Sequence, residues 1–578
     1  MTVPGHIARE LKRRGVPAAF GVPGGEGSSG LIQALRRNGI RFVLCHTESQ
    51  AAFAAAAMAE ITGQVGVVVT SLGPGAASVI NGAAHALLDR VPLLVITDRF
   101  AQAAGPVCGH QFIDQAALFA PVTKGYRRLT RSGVTAAVRD AIDAALEHPR
   151  GPVHIDFPVD LADAEVTGEG AAAAVPPAHE TERSRANLGE LPHVLRGAQR
   201  PVILFGLEAN ADGNRAVVAP LLRCLRAPAL TTYKAIGVSS GSAEWSGGVF
   251  TGGALEEAFL AKADLILTIG FDAVEMIPTE WRWSAPVLRL AASPAACPVS
   301  KPVMEARGPL SQLMASVADA LSDRDGASLW TEEEVRDLRD QNHSRVLASW
   351  PQGGINPTIA VQKLASAFPS AIFSVDAGAH MFAATLALSH AGAYRCSISN
   401  GLATMGYALP AAIGAAVAEP NRPAVAITGD GGLSMCQAEI ETAVRSKHRI
   451  VIFLLNDAQL SLIKIKQEAK GHVPRGISYG HIDWVAIASA YQARSYRAVS
   501  GTELEAALLE AARHPNGVDL IEVVLAPDGY AGLMETVRGR KGSLESPATA
   551  PQAVRPGDPN ASKPRYSGWT RIGPTSRA

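Results

Sequence analysis

The sequence predicts an α/β protein made of three doubly wound domains, each built on a parallel β-sheet. Short apolar runs alternate with longer helical patterns along the chain, which is typical of parallel sheets covered by helices. Glycine-rich turns follow several of these runs, at the points where strands are expected to lead into helices. A length of 578 residues is sufficient for three or four domains of ordinary size.

Polar segments divide the predicted strands and helices into separate units. We expect domains at residues 1–167, 187–340 and 355–530, with a linker rich in Ala, Pro and Glu at 168–186. Residues 531–578 lose periodicity and fill with Pro, Ser, Gly and Arg. They are therefore expected to form either a flexible tail or a lid over a binding site.

The composition argues against several classes of function. Lys+Arg and Asp+Glu both number 53, so no net field favours nucleic acid. The six cysteines have no Cys-x-x-Cys spacing, which argues against a zinc site or a disulfide framework. The charged amino terminus is unlike a signal peptide, and the alanine-rich stretch 51–59 is too short to span a membrane. We expect a cytoplasmic protein that binds neither nucleic acid nor membrane.

The turn Gly429-Asp430-Gly431-Gly432 follows a predicted buried strand at residues 424–428, and Asn456 follows a second at 450–455. If these strands are neighbours, both polar side chains lie at the carboxyl edge of a parallel sheet, where α/β folds bind ligands. Mg²⁺ prefers carboxylate, amide, carbonyl and phosphate oxygens. The pattern thus predicts a site for a divalent metal and a diphosphate. The expected metal ligands are Asp430, Asn456 and the backbone carbonyl of Ala458.

This arrangement of Gly-Asp-Gly, a helix, a strand and then Asn resembles the thiamine diphosphate enzymes. The first third of the chain extends the resemblance, because a predicted strand at 42–47 leads to Glu48 and an alanine-rich helix. Glu48 is the only acid between Glu26 and Glu60. The resemblance implies that Glu48 is the catalytic glutamate beside N1′ of the aminopyrimidine ring, where a buried setting would raise its pKa.

Further matches to the same family occur at residues 21–25, 71–76, 89–96 and 401–406. The resemblance implies that thiamine diphosphate and Mg²⁺ are the cofactors, and that Met405 bends the thiamine into a V shape. His380 could instead be a partly exposed loop histidine. The residues expected to contact the cofactor are Glu48, Gly73, Ala379, His380, Ala403, Met405, Gly429, Asp430, Gly431, Gly432, Asn456, Leu460 and Ser461.

The resemblance is to catalytic subunits of the acetolactate synthase type. It implies a carboligase or lyase that takes a two-carbon unit from a 2-keto acid such as pyruvate and joins it to an acceptor. Gln111 matches a substrate-side position and is a second catalytic candidate, whereas its neighbour His110 is either a proton-transfer group or an ordinary loop residue. One alternative is a 2-hydroxyacyl-CoA lyase whose basic stretch 538–541 meets CoA phosphates. Another is a cofactor-binding homologue without catalysis.

Glu48 belongs to the first predicted domain and Asp430 to the third. The resemblance implies that the first domain of one subunit pairs with the third domain of another, so that the protein is at least a homodimer, and a tetramer is expected. Some members of the family bind FAD or ADP in the central domain, but no sequence signature for either is found here.

Overall fold

The computed structural model describes residues 1–539 except 26, 102–108, 168–187, 277–280, 294–301, 323–327 and 352. Within these residues, the strands form three parallel sheets of six strands each. Helices lie between successive strands along the chain. The predicted α/β class with three parallel-sheet domains is confirmed.

The first domain carries the segment around Glu48. Its strands are β1 (Ala18–Val22), β2 (Arg41–Leu44), β3 (Gly66–Thr70), β4 (Leu93–Arg99), β5 (Gly125–Arg128) and β6 (Pro152–Pro158). Its helices are α1 (Val3–Arg13), α2 (Gly27–Arg37), α3 (Glu48–Thr62), α4 (Pro74–Ser78), α5 (Ile80–Leu88), α6 (Gln115–Phe119) and α7 (Val134–Leu146). The strand order is β2-β1-β3-β4-β6-β5, which places β3 near the middle of the sheet.

The central domain has the strand order of a dinucleotide-binding fold. Its strands are β7 (Pro201–Phe205), β8 (Ala229–Thr231), β9 (Ser246–Val249), β10 (Leu265–Ile269), β11 (Val287–Ala291) and β12 (Met304–Arg307). Its helices are α8 (Leu191–Gly197), α9 (Asp212–Leu225), α10 (Glu257–Leu260), α11 (Leu310–Ala320) and α12 (Glu332–Ala348). The order β12-β11-β10-β7-β8-β9 reverses between β7 and β10, where such folds bind ligands.

The third domain repeats the strand order of the first. Its strands are β13 (Ile372–Val375), β14 (Arg395–Ile398), β15 (Ala424–Gly429), β16 (Arg449–Asn456), β17 (Arg494–Ala498) and β18 (Gly517–Val524). Its helices are α13 (Pro357–Ala367), α14 (Ala379–His390), α15 (Ala408–Ala418), α16 (Asp430–Cys436), α17 (Glu439–Ser446), α18 (Ser461–Ala469), α19 (Trp484–Ala490), α20 (Gly501–Ala512) and α21 (Tyr530–Arg538). The order is β14-β13-β15-β16-β18-β17, so β15 and β16 are central and buried.

The alanine-rich helix α3 packs against α15 of the third domain. Its residues 51–59 are all buried, although a helix on the outside of a sheet usually keeps a polar face. A Cβ added to Gly414 on α15 would lie 2.0 Å from the backbone oxygen of Ala54. The small residues of both helices thus allow a close approach that fixes the first domain against the third.

The segment after the third sheet differs from the sequence-based prediction of a tail that starts at residue 531. Residues 530–538 form helix α21, which buries Leu533, Met534 and Val537. The carbonyl of Val537 accepts a hydrogen bond from the N–H of Ala254 in the central domain (2.9 Å). The expected tail or lid at residues 540–578 lies outside the described residues. No helix among the described residues is long and apolar enough to cross a membrane.

Candidate active site

The carboxyl ends of β15 and β16 form the core of the candidate site. The two strands pair in parallel, with Gly429 opposite Leu455, and Asp430 and Asn456 follow at the same edge of the sheet. This pairing confirms the prediction that the two strands are neighbours in the sheet. A cavity of about 380 Å³ opens at this edge and is lined by Asp430, Asn456, Asp457, Ala458 and Glu522 among others.

The electrostatic setting of Asp430 suits a bound cation. The side chain is buried, and its Oδ2 atom has no hydrogen-bond partner among the described residues. Burial, reinforced by the nearby carboxylate of Asp457, raises the pKa of Asp430 to about 7. A divalent metal would compensate both carboxylates and satisfy the unpaired oxygen. The donor set therefore fits the expected metal site.

Asn456 is held in place by a chain of hydrogen bonds that ends at an arginine. Its Nδ2 donates to Oε1 of Glu522 on β18 (2.7 Å), and Nε of Arg497 donates to Oε2 of the same carboxylate (2.7 Å). The Oδ1 atom of Asn456 accepts from the N–H of Ala458 (3.0 Å). Because Glu522 accepts only, it fixes which end of the Asn456 amide carries oxygen. No local sequence pattern indicated this role of Glu522.

The third expected metal ligand, the carbonyl of Ala458, lies in a left-handed backbone conformation. The φ angle of Ala458 is 56°, which is uncommon for a residue with a side chain. Its carbonyl oxygen accepts from the N–H of Tyr479 (3.0 Å), and the second lone pair of this oxygen is the one that a metal could use.

The glycine turn brings several expected cofactor residues together. A Cβ added to Gly431 would lie 3.0 Å from the side-chain ends of both Leu460 and Met405. One added to Gly429 would lie 3.0 Å from the ring of His380. Glycine thus leaves room beside the start of α16, and the first N–H groups of a helix favour a phosphate.

His380 lies in the first turn of α14, and only 6% of its surface is exposed. The alternative interpretation as a partly exposed loop histidine is therefore wrong. Burial lowers the pKa of His380 to about 4, so the ring is neutral near pH 7. Its Nε2 atom has no hydrogen-bond partner in the described part of the chain. Such an orphaned polar atom fits a ligand contact.

Three further expected contacts lie at the starts of α14 and α18. Ala379 is the first residue of α14 and is buried. Leu460 caps α18, where its N–H donates to the carbonyl of Ile477 (2.7 Å), and Ser461 begins that helix with a hydrogen bond to Asp457.

Asp376 joins the glycine turn to the loop that carries Ala403 and Met405. Its buried carboxylate accepts from the N–H groups of Gly406 (3.0 Å) and Tyr407 (3.1 Å) and from Oγ1 of Thr428 (2.9 Å). Burial raises the pKa of Asp376 to about 6. Its position just after β13, another strand of the same sheet, was the only sequence signal for this supporting role.

A second half of the site lies at the carboxyl end of β3 in the first domain. A Cβ added to Gly75 would lie 3.1 Å from Oε1 of Glu48, and one added to Gly73 would lie 2.6 Å from the backbone oxygen of Gln111. Glu48, the first residue of α3, is half-buried in the single chain rather than buried as expected. Gln111 and the adjacent His110 are exposed.

Glu48 does not line the cavity beside Asp430 in the single chain. No hydrogen bond or ion pair in the described residues connects Glu48 to the cavity beside Asp430. Instead, Glu439 on α17 accepts from the N–H groups of His46 (2.8 Å) and Thr47 (3.3 Å), just before α3. Glu439 thus supports the backbone that presents Glu48, a contact that the sequence did not reveal.

The central domain fits a nucleotide poorly at the expected position. Between β7 and β10, the N–H of Leu207 donates to the buried carboxylate of Glu275 (2.9 Å). A Cβ added to Gly206 would lie 2.6 Å from the same carboxylate. The described part of this edge is occupied by the chain's own buried carboxyl group, which disfavours the pyrophosphate of FAD or ADP there.

Comparison with known proteins connects these two halves to one family. Residues 1–118, 189–301 and 376–523 match the N-terminal TPP binding domain, the central domain and the C-terminal TPP binding domain of thiamine pyrophosphate enzymes. The chain is 28% identical over 529 residues to an acetolactate synthase of Bacillus subtilis (89% of this chain, 91% of the relative). It is 29% identical over 544 residues to a catabolic acetolactate synthase of Raoultella terrigena (91% and 94%). It is 30% identical over 534 residues to a probable 2-ketoarginine decarboxylase of Pseudomonas aeruginosa (89% and 93%).

Proposed function

This chain belongs to the thiamine pyrophosphate enzymes, which form or cleave C–C bonds, and we propose that it is a carboligase of the acetolactate synthase type. In this proposal a two-carbon unit from a 2-keto acid such as pyruvate is joined to a second carbonyl compound. The observation that carries it is the cluster at the end of β3, where Gln111 lies against Gly73 and Glu48 against Gly75. This cluster would place a polar substrate-side group beside the catalytic carboxylate. Similarity to two acetolactate synthases over about nine-tenths of the chain supports the same reaction.

The third domain would hold the metal and the diphosphate end of the cofactor. Asp430, Asn456 and the carbonyl of Ala458 would bind Mg²⁺, because they provide the hard oxygen donors that this ion prefers. The N–H groups that begin α14, α16 and α18 would bind the phosphate oxygens. The residues assigned to this half are Ala379, His380, Gly429, Gly431, Gly432, Leu460 and Ser461.

Thiamine diphosphate, when bound, supplies a carbon nucleophile and accepts the electron pair of the broken C–C bond. Glu48 would hold a proton for N1′ of the aminopyrimidine ring, as general acid–base groups do. Met405 and the backbone of Ala403, whose φ is 52°, would support the bent cofactor. Gln111 would hydrogen-bond the substrate.

We further propose that a complete site needs two copies of the chain. In the single chain Glu48 does not line the cavity beside Asp430, and no hydrogen bond or ion pair among the described residues connects it to that cavity. Leu44, Phe112 and Met435 are large apolar side chains that lie close in sequence to these halves and are exposed in the single chain. A second copy would cover them and bring the halves together, so we expect a homodimer as the minimum and a homotetramer as the native state.

The CoA lyase alternative has less support from the described residues. Arg538 is nearly buried, donates to the carbonyl of Thr251 (3.1 Å), and lies over the ring of Phe382 with 5.3 Å to its centroid. Its guanidinium is therefore engaged within the protein. Arg540 and Lys541, the other basic residues proposed for CoA phosphates, lie outside the described residues.

The proposal is tested by a substrate screen with thiamine diphosphate and Mg²⁺, followed by mass spectrometry of the products. We expect CO₂ and acetolactate from pyruvate, or a mixed carboligation product when a second carbonyl acceptor is present. Glu48→Gln is the matched control, because it should abolish turnover and leave cofactor affinity largely unchanged. Inert 2-keto acids together with cleavage of a 2-hydroxyacyl-CoA thioester would overturn the synthase assignment. Full activity of Glu48→Gln would overturn the catalytic role of that residue.

A further inference from the structure

Lys234 of the central domain lies at a point where all three domains meet. Its side chain is almost completely buried. The ammonium group forms an ion pair with Glu60 on α3 and lies 3.5 Å from Oδ1 of Asp89, both in the first domain. It also donates to the carbonyl of Ile398 at the end of β14 in the third domain (3.2 Å). A single cation thus contacts groups from both domains that contain the candidate site.

Asp89 connects this lysine to the segment that follows β14. Its carboxylate accepts from the N–H groups of Asn400 (3.0 Å) and Gly401 (3.3 Å). His85 lies between Asp89 and Ser399: its Nδ1 atom is 3.1 Å from Oδ2 of Asp89 and 3.0 Å from Oγ of Ser399. Residues 399–407, which we call the Met405 loop, are therefore fixed at their beginning by a carboxylate of the first domain.

Glu60 fixes the other end of the same loop. Oγ of Ser397 donates to Oε2 of Glu60 (2.8 Å) and lies 2.5 Å from the hydroxyl oxygen of Tyr407. Tyr407 is the last residue of the Met405 loop and is completely buried. Both carboxylates that contact Lys234 thus also anchor the loop.

Without the lysine, the buried carboxylate of Asp89 and the partly buried carboxylate of Glu60 would lose the cation that they share. Burial disfavours the charged form of Asp89, and loss of one partner of a buried ion pair leaves a costly uncompensated charge. Burial alone would raise the pKa of Asp89, but Lys234 and His85 hold it below its usual value. The ionised form is the one that accepts both loop N–H groups.

We propose that Lys234 is a positioning residue of the cofactor site, which neutralises Glu60 and Asp89 so that they can hold the Met405 loop. The consequence for the site follows from the middle of the loop. The methyl end of Met405 lies beside Gly431, as the 3.0 Å distance to an added Cβ shows. Loss of the anchors would move Met405 relative to the glycine turn. The central domain, although it holds no expected catalytic residue, would in this way tune cofactor binding.

The inference rests on the proposed cofactor site, so its test uses two readouts, one of which needs no cofactor. The variant is Lys234→Met, which keeps the length of the side chain and removes the charge. Arg215→Met is the matched control, because Arg215 also links the central and third domains, through the carbonyl of Tyr394 (2.8 Å), but does not contact the Met405 loop. The readouts are hydrogen–deuterium exchange of the cofactor-free proteins and calorimetric titration with thiamine diphosphate at saturating Mg²⁺.

In Lys234→Met we expect faster exchange of the amides of the Met405 loop and at least about tenfold weaker cofactor binding, since small displacements of positioning groups have effects of this size or larger. Arg215→Met should leave both readouts unchanged. The double variant Lys234→Met/Glu60→Gln restores the net charge of the cluster and should recover most of the affinity. Rescue by charge distinguishes positioning from a general loss of packing.

Unchanged loop exchange and cofactor affinity in a folded Lys234→Met would overturn the proposal, as would equal losses in Arg215→Met. If Lys234→Met fails to fold, Ser397→Ala tests the same anchor without leaving a buried charge, and it should loosen the same loop to a smaller extent. Failure of the wild-type protein to bind thiamine diphosphate would instead overturn the proposed cofactor site. Binding with a different substrate range would leave the role of Lys234 supported.

Discussion

The hydrogen-bond chain from Arg497 through Glu522 to Asn456 makes a specific prediction about metal affinity. In Glu522→Gln, the side chain keeps its shape but has one acceptor oxygen instead of two. Whichever way the new amide turns, its NH₂ group faces either the amide of Asn456 or the guanidinium of Arg497. One of the two 2.7 Å hydrogen bonds is therefore lost.

The size of the effect follows from the charge of the acceptor. A hydrogen bond to a charged group contributes about 1.5–3 kcal/mol, and about 1.4 kcal/mol corresponds to a tenfold change in an equilibrium constant. Because the new glutamine can retain one of the two bonds, we expect the lower end of this range. The affinity for Mg²⁺ should fall by about tenfold.

The assay is a calorimetric titration of the protein with Mg²⁺ at saturating thiamine diphosphate. Asp519→Asn is the control, since Asp519 lies on the same strand and accepts from Arg494 (2.8 Å) and Arg449 (2.6 Å). Asp519 lies three positions before Glu522 along the strand, a distance of about 10 Å. Unchanged Mg²⁺ affinity in a folded Glu522→Gln protein, or an equal loss in Asp519→Asn, would refute the reasoning.

Two further predictions concern packing and acid stability. Gly432→Ala should destabilise the protein by about 1–3 kcal/mol or more and impair cofactor binding, because the new Cβ would lie 2.1 Å from the buried carboxylate of Asp376. Gly431→Ala, which meets only side-chain atoms at 3.0–3.2 Å, should keep the melting temperature closer to wild type and serves as control. Burial lowers the pKa of His154 to about 4, so the folded protein keeps this ring neutral while the unfolded chain takes up a proton below about pH 6.5. The free energy of unfolding should therefore fall from pH 6.5 towards pH 4. His154→Gln, which can still hydrogen-bond Thr97, should reduce this loss at pH 5 by up to about 2 kcal/mol. Calorimetric melting of His154→Gln with the same pH profile as the wild type would contradict this.

Sequence patterns predicted the parts of the site that depend on local structure. Asp430 and Asn456 each follow an uninterrupted apolar run, and a parallel sheet brings the ends of such runs to one edge. The sequence also shows the alanine-rich pattern of α3, but it does not show why small residues are needed there. They allow contact with α15, more than 340 positions away in the chain, and such contacts have no local pattern.

Supporting residues were missed for the same physical reason. Glu522 lies within β18 and Lys234 belongs to another domain, so neither is adjacent in sequence to the group that it positions. The burial of His380 also depends on tertiary packing, because a histidine after a strand is exposed or buried according to what covers it. Residue type and spacing therefore predicted the groups at the site, and the three-dimensional contacts identified those that hold them.

The most direct test of the two-copy site is subunit complementation. Glu48→Gln and Asp430→Asn should each lack pyruvate-consuming activity, because each removes one half of every site. When the two variants are mixed one to one after dissociation and reassociation, half of the dimers are hybrids with one intact site each, so about one quarter of the sites should be active. Recovery of activity near that level is the predicted result. A mixture as inactive as its parents, with hybrids shown to form, would contradict a site shared between two copies.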